Sequence, residues 1–306
     1  MIPEKLLSGK SRLAVVADDM GKSVSVNRAI AEAHDKGILT SASIMAGSGA
    51  FDDAVQILLE RDRLSAGLHL TLCDGKAVLP HELIPDITDS DGNFMTNPST
   101  AGLHYTKPGL LTQIEAEMAA QFDRLEEAGI RLHHVDGHHH LHMHPVIFEV
   151  LCRHASGRGI KWIRIPREPL SMVAAFRSPS RGMLPFIEWA VFGLLGIHNS
   201  RKAENYGLQS ARRVCGLARS GNIDEQFLLG ILPRVAASFT EIYAHPDTET
   251  PSGRIELEAL VSQRVRDMIR DLEISPLGYK DFGQTESINK EVTACNPLLH
   301  HSVHQR

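Results

Sequence analysis

Cysteine is scarce in this chain: Cys73, Cys152, Cys215 and Cys295 are the four in 306 residues, and no two form a CxxC pair. A structural zinc knot and a dithiol redox motif are thereby excluded, and the four read as free thiols in a reducing compartment. Positive charge is in deficit. Lys and Arg number 32 against 37 Asp and Glu, a net charge of −5 that leaves no electrostatic footprint for nucleic acid. No apolar run reaches the roughly 18 residues of a membrane span. The nearest, Met183–Ile197 (MLPFIEWAVFGLLGI), is shorter and contains Glu188. Residues 1–12 are polar and carry no apolar core of a secretory signal. These absences lead to the expectation of a cytoplasmic protein. Nor does a GxGxxG follow the first apolar strand, so a dinucleotide-binding unit lacks its phosphate loop.

What is present is an alternation of short β-rich runs with helical patterns. Expected strands are 12–17 (RLAVVA), 40–46, 64–72, 130–135, 160–165, 213–217, 240–244 and 273–275. Between them fall expected helices at 26–36, 50–61, 110–128, 145–154, 224–236 and 256–271. This order predicts a parallel sheet, and about seven such units predict a closed or nearly closed (β/α) barrel of the TIM-barrel type. We expect one α/β domain with a core at about 12–280 and a tail at 281–306. Its insertions, at 73–109 and 166–210, are rich in turn signals and prolines.

Histidine is the excess: 17 residues, seven of them in the twelve-residue stretch His133–His144. A tract this dense at a strand end, just before a helix, reads as metal binding, with one or two ligands and the rest orienting them or facing solvent. Three more polar groups close other expected strands: Asp18-Asp19, His69, and His245 in YAHPD. Each has an ordinary structural explanation, a turn or helix cap for the aspartates and a hydrogen-bonded core residue for His69. In a β/α barrel, however, strand ends converge on one mouth. One carboxylate with two imidazoles suits a divalent ion that keeps open positions for water and substrate. A second carboxylate free of metal can serve as general base, and a histidine across the mouth as general acid. Hydrolysis is the matching reaction class. Asp136 is expected to orient a histidine, and Arg164 to tune Asp18 or touch the substrate.

The motifs VVADDMG, VNRAI, GILTSASIM, GLHLTL, HHVDGHHHLHMHP and YAHPD, in that order over about residues 12–250, resemble the YdjC-like deacetylases, which include the chito-oligosaccharide deacetylases. The resemblance implies a barrel-like fold and metal-dependent removal of acetyl from an N-acetylated amino sugar. It implies Asp19, His69 and His138 as ligands of one divalent cation (zinc or magnesium), Asp18 as catalytic base and His245 as general acid. Three positions depart from the pattern. Met20 stands where phenylalanine is usual, and Ala244 and Asp247 flank the His-Pro pair where cysteine and glycine are usual. IPDITDSDGNF, GLHYTKPG and IRIPREPL further resemble the hopanoid-biosynthesis-associated branch, which implies an N-acetylglucosaminyl-hopanoid substrate. In that case the 183–197 stretch, flanked by Arg177, Arg181, Arg201 and Lys202, is expected to rest peripherally on the inner membrane surface. A lid or a homodimer contact is the plainer expectation for it. Two rival functions use the same histidines: a metal-dependent phosphoesterase with two metals and more carboxylates, and a non-enzymatic metal-binding protein with no need of Asp18.

Overall fold

The computed structural model describes residues 11–176, 182–235 and 239–282. Its centre is β1 (Arg12–Met20), whose unbroken apolar run is buried on both faces. Seven further strands follow: β2 (Ser41–Ile44), β3 (Ser65–Leu70), β4 (Leu132–Gly137), β5 (Trp162–Ile163), β6 (Arg213–Cys215), β7 (Thr240–Ala244) and β8 (Ser275–Pro276). All pairings are parallel, in the order β5-β4-β3-β2-β1-β7-β6, with β8 added beside the start of β1. Side chains alternate across β1. Leu13, Val15 and Ala17 join the large apolar core shared with the helices. Ala14 and Val16 point to the inner side, where they pack with Val214, Tyr243, Tyr279 and Phe282. Asp18 continues this inner row.

The sheet curls into a half-barrel: of the closed or nearly closed barrel expected, the barrel-like curl is present, and full closure fails at one seam. β5 and β6 form no ladder with each other. Backbone bonds from two residues bridge the gap: the Gln209 N–H donates to Lys161 (2.7 Å) and its carbonyl accepts from Ile163 (2.9 Å), and Val214 N of β6 donates to the Arg167 carbonyl (3.1 Å). The reason is local. Pro166 and Pro169 follow β5 at once, and proline has no N–H for a ladder. The strand therefore stops after two residues.

Helices surround the sheet. In α1 (Val24–Lys36), Ser23 caps the N-terminus by accepting from Val26 N, and Val26, Ala29, Ile30 and Ala33 form the buried face. α2 (Phe51–Leu59), α4 (Leu111–Glu127) and α5 (Pro145–Gly157) lie close to their expected ranges, and α3 (Pro98–His104) belongs to the 73–109 connection. The 166–210 connection holds α6 (Leu170–Phe176) and the 22-residue α7 (Leu184–Asn205). Among the described residues no helix is long and apolar enough to cross a membrane. α8 (Glu225–Ile231) is shorter than expected, and Ala236 lies outside the described residues. The single helix expected over 256–271 is two, α9 (Pro251–Val261) and α10 (Gln263–Asp271). Ser262 separates them, its side chain capping the second by accepting from Val265 N.

Candidate active site and metal centre

Adjacent residues of a strand face opposite ways, so Asp18 and Asp19 need a device to share one mouth. The register between β1 and β2 shifts between Ala17 and Met20, and Asp19 adopts a left-handed backbone with φ 64°. Aspartate tolerates that conformation better than most residues. The irregularity turns Asp19 back toward the inner side, beside Asp18.

Asp19 meets His69 from β3 and His138 from the turn after β4. Asp19 Oδ1 lies 2.8 Å from His138 Nδ1 and 3.2 Å from His69 Nε2, and the three donor atoms fall within 4.8 Å of one another. Oδ1 is buried yet engaged by neither ring in hydrogen-bond geometry. Donor atoms of one carboxylate and two imidazoles that converge on a buried point are what a cation would join. Burial opposes ionisation of Asp19, but the His138 and His69 imidazoles hold its carboxyl well below the usual range. Burial likewise opposes a charge on His69, and Asp136 and Asp18 overcome it, pushing its pKa up to about 10. A divalent cation would relieve the same excess of negative charge and displace that proton. One carboxylate and two imidazoles fit zinc and tolerate magnesium.

Behind these three lies a buried ionic network. The Arg164 guanidinium, 1 % exposed, donates to both oxygens of Asp18 (2.6 and 2.8 Å). It also contacts Asp136 Oδ2 at 2.9 Å and donates through Nε to Glu241, itself bonded by the Tyr279 hydroxyl. Asp136 accepts from His69 Nδ1 at 2.7 Å, which turns the Nε2 of that ring toward Asp19. This is the orienting role expected of Asp136. Its other oxygen accepts from Ser43 Oγ (2.7 Å), a hydroxyl also 2.9 Å from His134 Nε2. Asp18, His69 and Asp136 also offer grouped donor atoms, but both of these carboxylates are already bound to Arg164. Gly67 makes room for the network: a Cβ there would lie 2.4 Å from the His134 ring.

The histidine tract divides. His134 is buried in the network, and burial drives its pKa down to about 3. His142 holds the Arg164 carbonyl through Nε2 (2.9 Å), and His140 pairs with the Tyr243 hydroxyl (3.1 Å). His133 lines a separate cleft with Trp162 and Lys280. His139 reaches Asp74 Oδ2 at 3.2 Å. Of the seven, His138 alone joins Asp19 and His69.

A cavity of about 750 Å3 opens onto Asp18, Asp19, His69, His138 and His245. His245 Nε2 stands 3.9 Å from Asp18 Oδ2, and its backbone N–H is held by the buried carboxylate of Glu256. All five predicted site residues thus share one cavity. Part of its wall is α7, through Leu184, Ile187, Val191 and Phe192. Of the basic residues expected to flank that helix, Arg177 and Arg181 lie outside the described residues. Sequence reading passed over Lys22, 3.0 Å from Asp19 Oδ2, together with Glu241, Tyr243 and Glu256. The alternation along β7 carried a signal for Glu241 and Tyr243, since both share the inner row of β1 through the pairs Ala14–Glu241 and Val16–Tyr243. For Glu256 and Lys22 there was no comparable pattern.

Candidate metal-ligand donors and a buried acid are thus grouped at the strand ends of a curled parallel sheet with a barrel-like fold. The model of the YdjC-like protein family matches residues 12–271, and the chain belongs to that family. A carbohydrate deacetylase of Brevibacillus brevis is 38 % identical over 142 residues, 46 % of this chain and 54 % of the relative. A carbohydrate deacetylase of Geobacillus stearothermophilus is 32 % identical over 166 residues, 54 % of this chain and 62 % of the relative. The match therefore spans less than two thirds of either relative. A crystal structure from Enterococcus faecalis V583, provisionally described as a cellobiose-phosphate cleavage protein, superposes with a TM-score of 0.69 at 23 % identity. It covers 90 % of this chain and 99 % of its own, and it supports the fold alone.

Proposed function

We propose that the chain is a metal-dependent carbohydrate N-deacetylase, which cleaves the acetamide of an amino sugar to acetate and a free amine. The observation that carries this reading is the convergence of Asp19, His69 and His138 with Asp18 and His245 on one cavity. Asp19, His69 and His138 would hold the cation. When bound, such an ion supplies Lewis acidity, lowering the pKa of water and polarising an amide carbonyl. Asp18 takes the proton of the attacking water, and Arg164, bonded to both of its oxygens, fixes the direction in which it accepts. His245, on the cavity side of Asp18, delivers a proton to the departing nitrogen, so the C–N bond breaks with a neutral amine leaving. Asp136 keeps His69 in the tautomer that presents Nε2. The two curated relatives named carbohydrate deacetylases support the substrate class.

For the finer identity of the acceptor, we read a lipid-linked N-acetylamino sugar of the N-acetylglucosaminyl-hopanoid type. The branch motifs support it, and so does the apolar cavity wall from α7, where Leu184, Ile187 and Val191 are solvent-exposed. Such a substrate would bring the helix to a membrane surface peripherally.

The test is acetate release from N-acetylglucosaminyl lipid and from N,N′-diacetylchitobiose, each with and without chelator. Release from either substrate that chelator stops, and added zinc or magnesium restores, is the expected result. No acetate from both overturns the deacetylase reading, and turnover of a chromogenic phosphate ester in its place would install the phosphoesterase. Acetate from chitobiose with none from the lipid would overturn the lipid assignment alone.

A further inference from the structure

The inner group of donors uses only one nitrogen of His138. Nδ1 lies beside Asp19, whereas Nε2, on the other edge of a residue that is 5 % exposed, is buried and has no hydrogen-bond partner. A buried ring nitrogen left unpaired carries the full penalty of its desolvation. Nε2 lies 3.7 Å from Asp74 Oδ2, and the same oxygen lies 3.2 Å from Nε2 of His139. The three donor atoms come within 4.8 Å of one another. They derive from two distant segments: Asp74 follows β3, and His139 follows β4. Both residues hold left-handed backbones, with φ 47° and 52°. Asp74 and His139 are partly open to solvent, so this group faces outward where the inner one is enclosed.

We infer that Asp74, His139 and Nε2 of His138 form a second, outer site for a divalent cation of the zinc type. Two imidazoles and one carboxylate favour a borderline-soft ion over magnesium, and the open side leaves positions for water. Lys22 also faces Asp74, and its charge competes with a cation there. Glycine is absent from both left-handed positions, where it would relieve the backbone. Aspartate and histidine stand there instead, each offering a ligand atom.

The two sites share one ring. A neutral imidazole has one lone pair and one N–H, so it serves a single cation without ionising. Filling both sites at once breaks the remaining N–H and passes that proton to solvent, which makes the outer ion the weaker of two bound together. The outer site is therefore cleanest when the inner one is disabled. It stands on these donor atoms alone, whether or not the chain cleaves an amide.

The experiment counts zinc in metal-depleted protein by equilibrium dialysis, in Asp19→Asn and in Asp19→Asn combined with Asp74→Asn and His139→Gln. The comparison cancels zinc taken up by His300, His301 and His304, which lie outside the described residues. We expect one zinc fewer per chain in the triple variant, with unchanged circular dichroism, and the single changes Asp74→Asn and His139→Gln each weakening that ion at least tenfold. Equal zinc counts and equal affinities in the two proteins overturn the outer site. Failure of the deacetylase reading looks different: zinc still binds in the wild-type chain, and no acetate appears.

Discussion

At the scale of single residues, the site is organised by one guanidinium. Arg164 faces Asp18, Asp136 and Glu241 in a buried environment, and its planar fork satisfies oxygens on all three. Removing it strands three carboxylates together. Arg164→Met is expected to lower stability by about 3–5 kcal/mol, as loss of one partner from a buried ionic set does, measured by urea unfolding. Asp18→Asn is the milder change, an isostere that keeps one acceptor for Arg164. It should cut kcat by about 10²–10⁴ while metal content, read by elemental analysis, stays at the wild-type level. Full turnover in Asp18→Asn with the metal in place would remove Asp18 from the chemistry and favour a protein that only binds metal. His69 could be picked out because its strand is apolar and closes on a lone imidazole. Arg164 could be placed near Asp18 on the same reasoning, but its three carboxylate partners come from strands far apart in sequence.

At the scale of elements, Glu168 links the segment after β5 to the turn at 216–221. Its Oε2 accepts from Ala218 N (3.1 Å), and that turn supplies Leu217, Ser220 and Gly221 to the cavity. Burial raises the Glu168 pKa to about 7 from 4.5, against the pull of the Ala218 and Gly216 N–H groups. A folded-state pKa above the unfolded one means stability that is complete below pH 4.5 and lost as pH rises through 7. The shift corresponds to about 3 kcal/mol. Glu168→Gln, which keeps an acceptor and carries no charge, should therefore gain melting temperature over wild type between pH 6 and 8 and match it near pH 4.5. A parallel pH dependence in both proteins would contradict this. For α7, Ile187→Asp should raise KM for the lipid-linked sugar at least tenfold and leave chitobiose unaffected; equal effects on both would disconnect the helix from acceptor choice. Much of this scale was legible in the sequence. β1, β7, α1, α4 and α5 declare themselves by apolar pattern and by caps. The break at Ser262 was hidden because the helical period runs on through it. The irregularity at Asp19 was hidden as well, since backbone dihedrals leave no trace in an alternation of residue types.

At the scale of the whole molecule, the cation and the fold should support each other. Three strands contribute donors, so a bound ion ties β1, β3 and β4 together, and zinc at 100 times its dissociation constant adds about 2.7 kcal/mol of stability. Chelator should lower the melting temperature by several degrees in wild type and by less in Asp19→Asn, which keeps only the weaker outer group, followed by scanning calorimetry. An equal response in both proteins would separate the inner group from the metal. The seam between β5 and β6 has a further consequence. A complete ring of strands fixes its own girth, whereas here the two sides of the gap are held by isolated hydrogen bonds of Gln209, Val214 and Ala218. The inner donors lie on β1, on β3 and in the turn after β4, at the continuous part of the sheet, while α7 and the 216–221 turn, two walls of the cavity, flank the gap. The wall is nonetheless tied to the turn that carries His138, since Asn199 of α7 donates to the Met143 carbonyl (2.9 Å) and Phe192 packs on the His140 ring. A 166–210 connection reshaped for a bulkier or leaner substrate therefore has to keep these two contacts if His138 is to stay in place.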